Sequence, residues 1–145
     1  MHEFPHLYAV TATTKPDHDV TLSSRGLQSL PSAPPTEFGG AGDKWSPETL
    51  LVAAVADCFV LSFRAIATAS KFEWRSLQCA VEGTLDRQES GTQFTGFKVH
   101  ATLDLPPGAD EARARRLLEK AEHVCLITNS LKAASTLAVE VRRSL

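Results

Sequence analysis

Apolar and polar positions change period several times along the chain, and each change marks an element. Leu7 to Thr14 alternates with β-rich residues, and Val20 to Ser23 repeats the pattern after the turn-like Lys15-Pro16-Asp17-His18, which predicts a β-hairpin. Residues 31–43 hold three prolines and three glycines among small polar residues, so an irregular loop is expected there. A helix is predicted from Pro47 to about Ser70. Ser46 is a good N-cap, Pro47 suits the first helical position where no N–H is needed, and Glu48 places an anion in the first turn. From Leu50 to Phe63 apolar residues cover nearly every helical angle, which predicts a helix buried on most sides.

Leu77, Cys79, Val81 and Leu85 then alternate with polar residues. After Glu89-Ser90-Gly91 the residues Phe97, Val99, Ala101, Leu103 and Leu105 alternate again, as two antiparallel strands joined by a turn would. Pro106-Pro107-Gly108 ends the second run and Asp110 can cap a second helix. Its inner stripe is Ala114, Leu117, Leu118, Ala121, Val124 and Cys125, with Arg113, Arg116, Glu119 and Lys120 in water. Asn129 is read as the cap of a further short turn reaching Ala134, and Leu137 to Val141 as a closing strand. The order ββ-α-ββ-α-β defines an α+β domain whose antiparallel sheet packs on two helices.

A chain of 145 residues forms one ordinary domain, residues 1–145. A net charge of −2 supplies no basic surface that would track phosphates, so nucleic acid is not an expected partner. A membrane span needs roughly 20 apolar residues. Asp57 interrupts the long helix and Arg64 ends its apolar run, so a core helix is expected rather than a membrane anchor. The start, Met1-His2-Glu3-Phe4-Pro5-His6, lacks the basic flank and apolar core of a secretory signal, so a cytoplasmic protein is expected.

The candidate chemistry lies in the cysteines at 58, 79 and 125, an odd and widely spaced set unlike a disulfide framework or a paired zinc motif. Cys58 sits in the middle of the long helix and Cys125 at the inner-face end of the other; either alone reads as a small buried hydrophobe. A cysteine hydrolase would need a base such as His123 or His100, and a nucleophile at an exposed turn or helix start rather than mid-helix. A metal held by Cys58, Cys125 and His123 has no support in ligand spacing. No metal and no cofactor is expected.

The wider pattern is more specific. Ser46-Pro47-Glu48-Thr49-Leu50-Leu51, Ala53-Ala54 and Cys58-Phe59, with Lys120-Ala121-Glu122-His123-Val124-Cys125 and Asn129-Ser130-Leu131, resembles the OsmC/Ohr family of thiol-dependent hydroperoxide reductases. The resemblance runs from about Leu7 to the carboxyl end. It implies antiparallel sheets packed around two long central helices in an intertwined homodimer that reduces organic hydroperoxides, or hydrogen peroxide, to alcohols. Cys58 would be the peroxidatic thiolate, becoming a sulfenic acid, and Cys125 would condense with it to a disulfide that an external dithiol, of lipoyl type or similar, reduces. Cys79 matches no motif and reads as packing.

Burial raises a thiol pKa from about 8.5, so such a thiolate needs a nearby cation. The family supplies an arginine oriented by the Glu that Glu48 matches. One branch carries that arginine in a Gly-Arg-Asp turn, where this chain has Lys15-Pro16-Asp17-His18; the other places it just before the helix, where this chain reads Thr36-Glu37-Phe38-Gly39. Arg25, or Lys15 as a point charge, is the candidate substitute. Leu126 stands where many members have proline, and Asp57 where many have alanine. Independently of the resemblance, ten residues of one helix separate Glu48 from Cys58, a rise of about 15 Å, so a Glu48 serving a Cys58 site comes from a partner chain. The alternative function is a non-catalytic dimer of the same fold that binds a hydrophobic small molecule or partner in its interface pocket.

Overall fold

The computed structural model describes residues 1–144. It falls into two compact units divided within the long helix, Met1–Leu50 and the chain from Leu51 onward.

The first unit contains a sheet of three short strands, β1 (Thr11–Thr13), β2 (Val20–Ser23) and β3 (Leu30–Ser32), in the order β1-β2-β3 with antiparallel pairing throughout. The hairpin predicted around Lys15-Pro16-Asp17-His18 is present: His18 N–H donates to Lys15 O, and Asp17 takes the left-handed conformation at φ 64°. Pairing covers only Thr11–Thr13 of the predicted Leu7 to Thr14 strand, and Leu7, Tyr8 and Val10 stay exposed. The loop expected over 31–43 begins instead with the paired strand β3, because Pro31 sits on the edge of the sheet where its missing N–H costs no ladder bond. A single 3-10 turn at Thr36–Phe38 follows.

Helix α1 spans Pro47–Ala69, within a residue of the expected end. Its start is a capping box: Thr49 N–H donates to Ser46 Oγ at 3.1 Å, and Ser46 N–H donates to Thr49 Oγ1 at 2.9 Å. Burial differs from the prediction. Only the stripe Val55, Phe59, Phe63 and Ala67 is fully buried, and Leu61 on another face is 46% exposed. By length and composition α1 could cross a membrane, but this stripe is packed into a protein core.

The second unit builds that core on strands β4 (Ser76–Gln88), β5 (Gly91–Leu105) and β6 (Ala134–Arg143). Strands β4 and β5 form the expected antiparallel hairpin, with a register shift between Thr84 and Leu85. The closing strand corrects the all-antiparallel reading: β6 pairs parallel to β5, from Gly96↔Ala134 to Leu105↔Arg143. Helix α2 (Glu111–Val124) lies between them and returns the chain to the same end, the crossover that a parallel pair requires. Phe97, Val99, Ala101, Leu103 and Leu105 face Ala114, Leu118 and Ala121 of α2 and the α1 stripe in one cluster, as their periodicities predict.

Asp110 caps α2 by accepting from Arg113 N–H at 3.1 Å. Arg113 itself is not in water as expected. Its guanidinium lies 5.5 Å from the Phe72 ring and donates to Ser70 O just past the end of α1, where the helix dipole favours a cation.

Gly83 on β4 is where the sheet has no room for a side chain. A Cβ there would stand 2.9 Å from Val52 of α1, 3.0 Å from Phe94 and 3.1 Å from Phe97. Gly83→Ala is therefore expected to lower stability by about 1–3 kcal/mol, read as a reduced midpoint in urea unfolding. An unchanged midpoint would show that the rings yield freely.

Candidate active site

The three cysteines are free thiols on three different elements of the second unit. Cys58 is half-buried on α1, its Sγ 3.9 Å from Ser62 Oγ one turn later. Phe59, the next residue, belongs to the fully buried stripe, and Asp57, the preceding one, is exposed. Helical geometry thus turns the Asp57 carboxylate away from the direction of the thiol.

Cys125 is 2% exposed and stands at a corner. It ends α2 and begins the one-turn helix α3 (Leu126–Asn129), with extended backbone at φ −60°, ψ 107°. The short turn expected to start at Asn129 therefore comes earlier and ends there, and Asn129 Nδ2 donates to His123 O at 3.1 Å. Leaving the helix at residue 125 frees the following N–H groups and brings them near the thiol. Burial alone would raise the Cys125 pKa, but the Thr128 hydroxyl, the Thr128 N–H, the Cys58 thiol and the Ile127 N–H all hydrogen-bond its sulfur and together hold it below the usual thiol value of 9.0. The Cys58 thiol is thus one of the groups that lower the Cys125 pKa, which makes the two thiols, distant in sequence, neighbours in the fold.

Cys79 lies on the inward face of β4, half-buried among core residues. Burial, reinforced by the charge of Cys125, pushes its pKa up to about 11. It stays a protonated thiol at neutral pH. Folding favours that neutral form, so its contribution to stability is complete below about 9 and is lost as the pH climbs through about 11. Cys79→Ala is expected to leave chemistry at the other two thiols intact, cost roughly 1 kcal/mol through a small cavity, and remove this alkaline loss, all checked by urea unfolding at neutral and alkaline pH.

The histidines stand apart from this cluster. His123 is exposed at the end of α2, and His100 projects from the outer face of β5 toward Glu140, 4.0 Å away. Among the described residues no group of three or more His, Cys, Asp or Glu could hold a metal ion. Glu48 occupies the first turn of α1 and is half-buried. Lys15 and Arg25 are exposed on tight turns of the first unit, Lys15 between β1 and β2 and Arg25 between β2 and β3, where Leu27 N–H donates to Ser24 O.

Periodicity did not reveal Thr128, and its only signal was its place three residues after a helix-ending cysteine. Its hydroxyl donates to Cys125 O at 3.2 Å as well as meeting the sulfur.

A three-stranded sheet in each unit, the helices α1 and α2, and two neighbouring thiols, one on α1 and one at the end of α2, describe a paired-cysteine α+β protein. A family profile described as OsmC-like protein matches residues 40–140, and the chain belongs to that family. It is 32% identical over 125 residues to an organic hydroperoxide resistance protein of Xanthomonas axonopodis pv. citri (strain 306), covering 84% of each chain. It is 26% identical over 123 residues to a peroxiredoxin OsmC of Escherichia coli (strain K12), covering 85% of each. A crystal structure of an organic hydroperoxide resistance protein OsmC from Legionella pneumophila superposes with a TM-score of 0.73 at 27% identity, over 95% of this chain and 99% of that one.

Proposed function

We propose that this protein is a thiol-dependent peroxidase that reduces organic hydroperoxides to alcohols. The names of its relatives support a redox role of the peroxiredoxin kind. One observation carries the finer reading: Cys58 and Cys125 are neighbouring free thiols, one half-buried, the other enclosed. A packing role for both cysteines gives no reason for that meeting.

In the cycle, the Cys58 thiolate attacks the outer oxygen of the hydroperoxide. The S–O bond forms as O–O breaks, and the departing alkoxide takes a proton to become the alcohol. Cys58 is then a sulfenic acid. Cys125 attacks its sulfur, the hydroxyl leaves as water, and a disulfide joins the two. An external dithiol returns both to thiols. Because hydrogen bonds hold the Cys125 pKa below 9.0, disulfide formation should persist to lower pH than for an ordinary cysteine.

The working unit in this proposal is a cytoplasmic homodimer. A single chain leaves Leu61 of α1 46% exposed, and Phe4, Leu7, Tyr8 and Val10 exposed by 68% or more, apolar surface that a second copy would cover. The partner's central helix would bring its first-turn carboxylate, Glu48, toward Cys58. Lys15 or Arg25 would then supply the cation. A monomer by light scattering at micromolar concentration would sink the dimer.

Counting free thiols before and after cumene hydroperoxide tests the chemistry. Loss of two thiols per chain, abolished by Cys58→Ser, is the expected result. Three unreacted thiols would defeat it and favour a non-catalytic dimer binding a hydrophobic molecule.

A further inference from the structure

A disulfide offers two sulfurs to an incoming thiolate, and the surroundings of Cys58 and Cys125 differ enough to decide between them. Thiol–disulfide exchange needs access to the attacked sulfur along the S–S axis and is fastest when the sulfur expelled is the more stable thiolate. Cys125 is 2% exposed, enclosed by the α2–α3 corner, while Cys58 is half-buried. The Thr128 hydroxyl, 3.2 Å from Cys125 O, and the N–H groups of Ile127 and Thr128 favour the Cys125 thiolate, whereas the hydroxyl beside Cys58 is Ser62 at 3.9 Å.

We propose that the reductant attacks the Cys58 sulfur, and that Thr128 stabilises Cys125 as the departing thiolate. The inference rests on the peroxidase reading above. The Thr128 hydroxyl is placed for this, because it lies between two acceptors of the same residue, the Cys125 carbonyl oxygen at 3.2 Å and the sulfur. Its single proton can rest on the carbonyl while the sulfur is in a disulfide and turn to the sulfur as charge develops there.

One thiolate of the dithiol bonds to Cys58 Sγ, the S–S bond breaks, and its electron pair goes to Cys125 Sγ. The mixed disulfide on Cys58 is then attacked by the second thiol of the reductant. That step releases Cys58 reduced and the reductant as its own cyclic or bridged disulfide. Cys79 does not compete, since its pKa of about 11 keeps it protonated.

Trypsin separates the three cysteines onto peptides 45–64, 76–87 and 121–132, so the attacked sulfur can be read directly. The full-length protein is oxidised with cumene hydroperoxide or, in parallel, with diamide. It is then exposed to 2-mercaptoethanol, a monothiol that cannot complete the second step, and quenched with N-ethylmaleimide. The expected result is the mercaptoethanol adduct on 45–64 and maleimide on 121–132.

Thr128→Val should slow dithiothreitol reduction of the disulfide by about 3- to 10-fold, the effect of one hydrogen bond to a developing charge. It should also move the ultraviolet thiolate titration of the reduced protein to higher pH. Thr128→Ser should restore both. An adduct on 121–132, or a Thr128→Val protein reduced at the parental rate, would overturn the inference. Failure of either oxidant to join 45–64 to 121–132 would instead bring down the peroxidase reading itself. If Thr128→Val does not fold, the adduct position in the parent protein decides.

Discussion

Cys58→Ser is expected to reduce hydroperoxide turnover to the uncatalysed rate. The reacting atom must be a soft, ionisable sulfur that can bond to oxygen and afterwards exist as a sulfenic acid; a serine hydroxyl stays protonated at neutral pH and has no such oxidised state. The site tolerates the exchange structurally. Cys58 is half-buried rather than sealed, so a hydroxyl there is not shut away from water. The measurement is consumption of cumene hydroperoxide with dithiothreitol in excess, alongside circular dichroism to show an intact fold. Full activity in this variant would refute the assignment of Cys58, whatever the other cysteines do.

Cys125→Ser should act at a later point and leave a distinct chemical trace. Cys58 would still be oxidised once, but no thiol would stand against its sulfenic acid. Capture by an external thiol then replaces an intramolecular step. Well-oriented intramolecular reactions carry effective concentrations far above any reagent in solution, so steady-state turnover should fall on the order of 100-fold. The waiting sulfenic acid meets more peroxide and goes on to the sulfinic acid, seen by mass spectrometry as two added oxygens on peptide 45–64. The native protein under the same peroxide should show the disulfide and none of that product. A Cys125→Ser protein that turns over at the native rate without over-oxidation would mean that Cys125 does not resolve the intermediate.

The contrast between the cysteines shows how far residue patterns reach. That Cys58 lies mid-helix follows from Ser46, Pro47 and the apolar run after them, and that Cys79 faces inward follows from strand alternation; both were legible. The stripe on α2 correctly carried Cys125 to the inner side, but it continued the helix one residue too far. The chain turns at Cys125, and the turn gives its sulfur the N–H groups of Ile127 and Thr128. No periodic signal marks a place where a pattern stops because a side chain competes for backbone donors. The same limit explains Arg113, a charge on a helix surface by sequence but in the fold the partner of Ser70 O and the Phe72 ring.

Strand pairing shows the limit at larger scale. Alternation over Leu137 to Val141 predicted a strand but carried no direction, and only the passage of α2 from one end of β5 to the other made β6 parallel. Strand β3 was hidden because a neighbouring strand, β2, and not its own composition, supplies its hydrogen bonds.

What the sequence determined by itself is therefore everything set by neighbours a few residues away: the capped start of α1, the long hairpin, the inner stripe of α2 and the identity of the three thiols. Tertiary structure alone decided which thiols meet, which is enclosed and which is held ready to ionise. The physical reason is that a sulfur's reactivity depends on its burial and on the groups within a few ångströms, and here the enclosing core and the second thiol come from segments that only packing brings together, while the Ile127 and Thr128 groups reach the sulfur because the chain turns there.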